Sequence, residues 1–236
     1  MENKHIPDPC FLISPMRCGS NFLANVVCKS SGNQYSTIYD PETTPIYHNN
    51  PNLIIKSHAP SYLHLLSECG AFIPFMSNLP HKMIVLVRDP RDMFISMYDW
   101  MEARLNEELS QENFLDDLKY SYSAPGLGQI SPGDAFKKFI KNWWQVNKYS
   151  SVKSVLRMKF ENLVSSKKAN FEEIKSFLNL DCRIQEEFFE KKVQQLSQKR
   201  KERGTVQTHL LYKKEYEVLI DKVESVMAEE ISTLGY

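Results

Sequence analysis

The residues from Pro15 to Phe22 carry the first arrangement suited to chemistry: Arg17, Gly19 and Ser20 lie within four positions of one another. A loop that opens a helix presents backbone N–H groups without intrahelical partners and the positive end of the helix dipole. A glycine there lets the backbone approach an anion closely, a serine adds a hydroxyl, and an arginine adds a permanent charge with several donors. Together these are the ingredients of a phosphate site. The standard nucleotide-phosphate loop, G-x-x-x-x-G-K-[ST], is not matched. Ser14 stands where its first glycine belongs, and no lysine separates Gly19 from Ser20. An ATPase or kinase of the usual kind is therefore disfavoured. On these residues alone, an ordinary strand-to-helix turn with a surface arginine stays open.

The surrounding pattern says which elements must hold this loop. Phe11-Leu12-Ile13 reads as a short buried strand, and Phe22, Leu23, Val26 and Val27 recur at helical spacing after it. Leu53-Ile54-Ile55 reads as a second strand, followed by Lys56-Ser57-His58-Ala59-Pro60 and a helical stretch from about Tyr62 to Glu68. Met83 to Val87 is continuously apolar, as expected of a strand buried on both faces of a parallel sheet. It ends at Arg88-Asp89-Pro90, where Asp89 suits an N-cap and Pro90 the first helical position. That helix is expected to run to about Arg104 with Met93, Phe94, Met97 and Met101 inward. Further helices are predicted at about 134–149, 171–178, 186–198 and 212–231, with a fourth strand from Val155 to Phe160. Lys199 to Gly204 reads as a basic turn. Strands alternating with helices predict an α/β fold of three layers, a central parallel sheet with helices on both faces. Ligands of such sheets bind beyond the carboxyl ends of the strands, where three of these motifs converge.

Composition sets the outer limits. The 236 residues suit one domain spanning 1–236, and 42% apolar with 25% charged residues is ordinary for a globular chain. Twenty-nine basic and 29 acidic residues cancel, so nothing global draws the chain to nucleic acid or to an acidic membrane. The five cysteines form no C-x-x-C pair, and neither a disulfide framework nor a metal site is expected. Reduced thiols suggest a cytoplasmic setting. No run approaches the roughly 20 apolar residues of a membrane span. His5, His48, His64, His81 and His209 lack motif context and read as structural or solvent-exposed.

In order, these motifs resemble the sulfotransferase family, most closely its soluble cytosolic and bacterial small-molecule branch. Arg17-Cys18-Gly19-Ser20-Asn21-Phe22 resembles the 5′-phosphosulfate loop. Ile55 to Pro60 resembles the Lys-Thr-His-x-Pro element. Ile84 to Tyr98 resembles the 3′-phosphate element, a strand ending in arginine with a serine eight residues later, here Arg88 and Ser96. Trp143-Trp144 and Met158 to Asn162 resemble later family segments, and Arg203-Gly204 the final basic-glycine loop. Glu202 departs from that loop, which often has two basic residues before the glycine.

The resemblance implies a P-loop-like sulfotransferase fold and direct in-line transfer of a sulfuryl group from 3′-phosphoadenosine 5′-phosphosulfate (PAPS), leaving adenosine 3′,5′-bisphosphate (PAP), without a metal. It implies that Arg17, Cys18, Gly19, Ser20 and Asn21 hold the 5′-phosphate, that Lys56 meets the transferred group, and that His58 is the general base. Arg88 and Ser96, completed by Arg203 and Gly204, would hold the 3′-phosphate. Phe22 and Phe160 would flank adenine, with the core as the alternative for both. Arg17 replaces the branch's lysine and neutralises charge without giving up a proton. The irregular stretches 35–52 and 105–133 are expected to wall a small-molecule acceptor, a hydroxyl or amine compound. Asp116 and Asp117 read as solvated, with a cationic acceptor as the other use for them. Lys201, Thr205 and Val206 partly match a dimer motif, which allows a homodimer, although Leu210 stands where that motif is acidic. An atypical nucleotide kinase and a catalytically silent nucleotide-binding scaffold are the alternatives.

Overall fold

The computed structural model describes residues 10–31, 35–37, 54–61, 63–65, 81–124, 126–145, 152–165, 167–180 and 208–236. Its main sheet contains β1 (Cys10–Ile13), β2 (Tyr35–Thr37), β3 (Ile54–Ser57), β4 (His81–Val87) and β7 (Val152–Lys159), in the order β2-β3-β1-β4-β7. Every pairing in it is parallel. A separate antiparallel pair, β5 (Tyr122–Ala124) and β6 (Gly128–Ile130), lies between β4 and β7 in the chain. The helices are α1 (Ser20–Ser31), α2 (Pro90–Leu105), α3 (Pro132–Phe139), α4 (Phe160–Ser165), α5 (Lys167–Leu178), α6 (Thr208–Leu211), α7 (Glu217–Val226) and α8 (Ala228–Leu234).

The period of two along each strand divides the core. Phe11, Ile13, Ile55, Met83, Val85 and Val87 pack with side chains of α2, α3 and α7. Cys10, Leu12, Ile54, Ile84 and Leu86 point to the other face, against α1, α4 and α5. This two-sided burial is why β1 and β4 read as unbroken apolar runs. It also builds the three layers.

The chain starts at the centre of the sheet, and its next neighbours fall on opposite sides. Ile13 is in register with Ser57 of β3 and with Val85 of β4. The loop after β1 is therefore flanked by the ends of both strands, and residues distant in sequence meet there. The Asp89 carboxylate caps α2 by accepting from the Arg91 N–H, with Pro90 at the first position. The helix ends at Asn106 in the left-handed region at φ 54°, whose N–H donates to the Glu102 carbonyl. It is buried on more than one side: Ile95, Ser96 and Tyr98 are inside as well as the expected methionines and Phe94.

Three sequence expectations need correction. The stretch 105–133 is not simply irregular, because it holds the β5–β6 hairpin and a 3₁₀ turn at Leu118–Tyr120, with Phe114 and Leu115 fully buried. The helix expected at 134–149 starts earlier, at Pro132 behind a Ser131 cap, and continues as a π-turn over Ile140–Trp144. The closing helix is not continuous. Its segments break around Tyr216 and Met227, both with helix-incompatible backbone angles. The predicted helix at 186–198, the basic turn, and Arg203 and Gly204 lie outside the described residues. Among the described residues no helix is long and apolar enough to cross a membrane.

Trp143 fills the core and also positions a loop. It is fully buried, and its Nε1–H donates to the Ala59 carbonyl at 2.8 Å. That bond ties the segment after β3 to the helical layer. Trp143→Phe keeps most of the packing but strands a buried carbonyl. We expect a loss of about 1–3 kcal/mol, measurable by urea unfolding monitored by circular dichroism.

Candidate active site

The turn from β1 into α1 is built around two left-handed residues. Arg17 has φ 67° and Gly19 φ 85°. Only glycine fits the second position. A Cβ on Gly19 would lie 2.4 Å from Phe160 ring carbons. The loop thus rests directly on Phe160, which is 4% exposed, and Phe22 meets that ring edge-on at 6.2 Å between centroids. Phe22 is itself 5% exposed. Both rings are buried, and Phe160 supports the loop at Gly19. Cys18 is likewise buried, and burial pushes its thiol well above the ordinary range despite the nearby Arg88 charge. It is a packing residue with no thiolate character.

From β3, Lys56 reaches across the loop and its Nζ donates to Asn21 Oδ1 at 2.5 Å. Lys56 is 6% exposed, and burial lowers its pKa. Among the described residues no carboxylate lies within ion-pair distance of it. A buried cation in this state fits an anion that the ligand itself must bring. Ser14 Oγ, at the start of the loop, is also buried without a hydrogen-bond partner among the described residues.

Two residues further on, half-buried His58 sets its Nδ1 2.9 Å from the Ser14 carbonyl. A carbonyl only accepts, so Nδ1 carries the proton and the neutral ring has its basic lone pair on Nε2. Burial first, then the charges of Lys56 and Arg17, lower the His58 pKa to about 4, although the Ser14 carbonyl works the other way. The ring is therefore neutral at pH 7.

From β4 and α2 come Arg88 and Ser96. Arg88 is 5% exposed, donates from Nη1 to the Arg17 carbonyl at 3.4 Å and lies 5.3 Å over the Phe160 ring. Its Nη2 is 3.6 Å from Asp92 Oδ2. Ser96 accepts from Arg17 Nε at 3.3 Å. Arg17 thus touches both residues expected at the 3′-phosphate, through its carbonyl and through its side chain. It also lies 5.9 Å from the Trp100 ring. Arg91 is engaged elsewhere, forked onto Asp89 and paired with Glu224.

Beside this cationic cluster lies a small pocket with a cavity volume of about 30 Å³. Its walls include Met16, Met93, Met97, Phe136 and Phe139, with His58 and Tyr122 as polar contributors. The sequence indicated Tyr122 through the 105–133 stretch. It did not indicate the faces of α2 and α3, whose methionines and phenylalanines look like ordinary core. Among the described residues no acidic side chain lines this pocket. Asp116 instead pairs with Lys222, and Asp117 accepts from the Lys119 N–H.

A second polar group braces the strand end, built on Glu161 of the Met158 to Asn162 segment. Glu161 accepts from the Asp89 N–H at 2.9 Å and from the Tyr236 hydroxyl. The Lys159 ammonium lies 4.4 Å over the Tyr236 ring. Separately, Asp92, 1% exposed, accepts from both the backbone N–H and Nδ1 of His209. Burial alone would raise the Asp92 pKa, but the His209 hydrogen bonds and the Arg88 charge outweigh it and hold the pKa below the usual value.

A three-layer parallel α/β sandwich whose central strand leads through a glycine-bearing loop into α1 is a P-loop-like fold. Within that class, the sulfotransferase domain family model matches residues 7–228, and the chain belongs to that family. Its fold is similar to that of mouse sulfotransferase SULT7A1 complexed with PAP, at TM-score 0.53 and 19% identity over 75% of this chain. The match spans 61% of the length of the mouse chain. A sulfotransferase from Alicyclobacillus acidocaldarius matches at TM-score 0.44 and 15% identity, over 80% of this chain and 94% of that one. No curated protein matches the chain in sequence.

The contact between Gly19 and Phe160 yields a direct test. Gly19→Ala adds a Cβ both at positive φ and inside the ring. A stability loss of about 1–3 kcal/mol is expected, read from urea unfolding, with loss of anion binding by the loop.

Proposed function

We propose that this protein transfers a sulfuryl group from PAPS to the hydroxyl of an uncharged, largely apolar small molecule. The observation that carries the reading is the juxtaposition of buried Lys56 and Arg88, beside half-buried Arg17, with an apolar pocket that shares His58 with them. Cations on one side suit an anionic donor. Methionines and phenylalanines on the other suit an acceptor without charge. A protonated amine is the poorer acceptor in this reading, since the described residues of the pocket wall include no carboxylate to compensate it.

In this reading His58 Nε2 takes the acceptor proton as the oxygen attacks sulfur. The Nδ1–H bond to the Ser14 carbonyl holds the ring in the tautomer that can do so. Lys56, Arg17 and the loop N–H groups stabilise charge that moves onto the departing phosphate. Arg88 and Ser96 recognise the 3′-phosphate, the feature that separates this nucleotide from ATP. PAPS supplies an activated sulfuryl group, so the protein need only orient, neutralise and accept one proton. Cytoplasmic location, one domain over 1–236 and a possible second copy as partner complete the proposal without adding to its chemistry.

Calorimetric titration with adenosine 3′,5′-bisphosphate, beside ATP with magnesium, tests the donor class. Micromolar binding of the bisphosphate with much weaker ATP binding is expected. Tight ATP binding without response to the bisphosphate would transfer the protein to the kinases, and binding of neither would leave a silent scaffold.

The base makes its own prediction. His58→Ala should abolish sulfuryl transfer while leaving bisphosphate affinity within about twofold, since the ring is placed on the acceptor side. In the intact enzyme, kcat/KM reports the free-enzyme base. His58 must be neutral to work and its pKa is lowered to about 4, so activity should hold as pH falls through 6.5 and be lost only toward 4. An acid limb centred at or above 6.5 would exclude His58 in this setting.

A further inference from the structure

Asn21 is the second residue of α1 and is exposed, yet its side-chain amide holds a buried ammonium. Ile54 packs among side chains of α1, and Lys56, two residues on, shares its face of β3. Lys56 is also in register with Leu12 of β1. The strand therefore delivers the Lys56 side chain to the start of α1, where Nζ donates to Asn21 Oδ1 at 2.5 Å. Asn21 is itself tied down, because its backbone carbonyl accepts from Asn25 Nδ2 at 2.7 Å. The first helical bond of α1 runs from the Leu23 N–H to the Gly19 carbonyl. The N–H groups of residues 20 to 22 thus lie in the turn that a helix cannot satisfy with its own carbonyls.

The chemical type of this acceptor matters. A carboxylate at position 21 would hold Lys56 by neutralising it. An amide oxygen is uncharged, so it orients the ammonium and leaves its formal charge in place. A lysine ammonium is a point charge on a flexible four-carbon stem, and it needs such an acceptor to have a fixed position. We propose that Asn21 is a positioning residue for Lys56: its amide oxygen holds the ammonium at the first turn of α1, so that the cation and the helix N–H groups meet the same anion. The family resemblance puts Asn21 directly on the 5′-phosphate; in this chain its side chain acts through Lys56. The inference rests on the proposed PAPS donor. Without the amide, the anion loop keeps its N–H groups but loses the fixed placement of one charge.

The test is a double-mutant cycle, read by calorimetric titration of PAPS into the full chain, Asn21→Ala, Lys56→Met and the double variant. Asn21→Ala should weaken PAPS binding about tenfold in the parent. Made in the Lys56→Met background, the same change should cost less than about twofold, since its target is gone. An asparagine that contacts the phosphate directly, or that merely steadies the helix, would cost the same in both backgrounds and overturn the proposal. So would an Asn21→Ala variant that binds PAPS as tightly as the parent. Lys56→Leu takes the place of Lys56→Met in the cycle if the latter does not fold, and Asn21→Ser, also too short to reach Nζ, takes the place of Asn21→Ala. A parent that does not bind PAPS removes the donor reading itself. A parent that binds it, with costs that add across the cycle, removes only the role of Asn21.

Discussion

Positive charge taken out of water governs this structure. Lys56 and Arg88 are each close to fully buried, and burial of a cation is costly unless something compensates it. The two are treated differently. Arg88 is held by a carbonyl, a carboxylate and an aromatic face, so it is a fixed part of the fold. Lys56 has the Asn21 amide oxygen and a lowered pKa, and among the described residues it has no carboxylate within ion-pair distance. The same field acts on His58, whose protonation is opposed by both Lys56 and Arg17. Bringing an anion into the loop would relieve these positive neighbours and make the imidazole a better proton acceptor at that moment. In the proposed reaction, donor binding and the basicity of His58 would thereby be linked through charge, without any need for a moving part.

The sheet order makes this concentration of charge achievable. β1 lies between β3 and β4, so one loop is flanked by the two strand ends that carry Lys56 and Arg88. Parallel pairing puts all three carboxyl ends on one edge. The apolar strands beneath supply the rigidity: Phe11 to Ile13 and Met83 to Val87 are almost without exposure. Phe160 then closes the loop from below at the junction of β7 and α4, which places the far strand under the same control.

Much of this was legible because the elements and the motifs share signals. The apolar runs at 11–13 and 83–87 have one structural use in a chain of this composition, and Asp89-Pro90 marks a helix start that the capping bond reproduces. Gly19 and the Lys56–His58 pair sit at strand ends, where sequence order converts easily into proximity. Other features lacked a local signature. Met93 and Met97 have the helical spacing of any core stripe, and nothing in that spacing says that one side faces a pocket. The 105–133 stretch is polar enough to hide Phe114 and Leu115, whose partners come from elsewhere in the chain. His209 and Asp92 are 117 residues apart. Their pairing depends on the placement of α6 against α2, which no periodicity encodes. The break of the closing helix at Met227 is similar, since tertiary packing there overrides a sequence that suits a longer helix.

α2 serves two sides at once. Ser96 and Asp92 look toward the anion loop, and Met93 and Met97 toward the pocket. Resizing the pocket from this helix would therefore disturb the geometry of charge as well. The β5–β6 hairpin has no strand pairing with the main sheet, yet it contributes Tyr122 to the pocket wall. On the proposed reading, substitutions in that hairpin would alter the acceptor side of the pocket while leaving the Lys56 and Arg88 side intact.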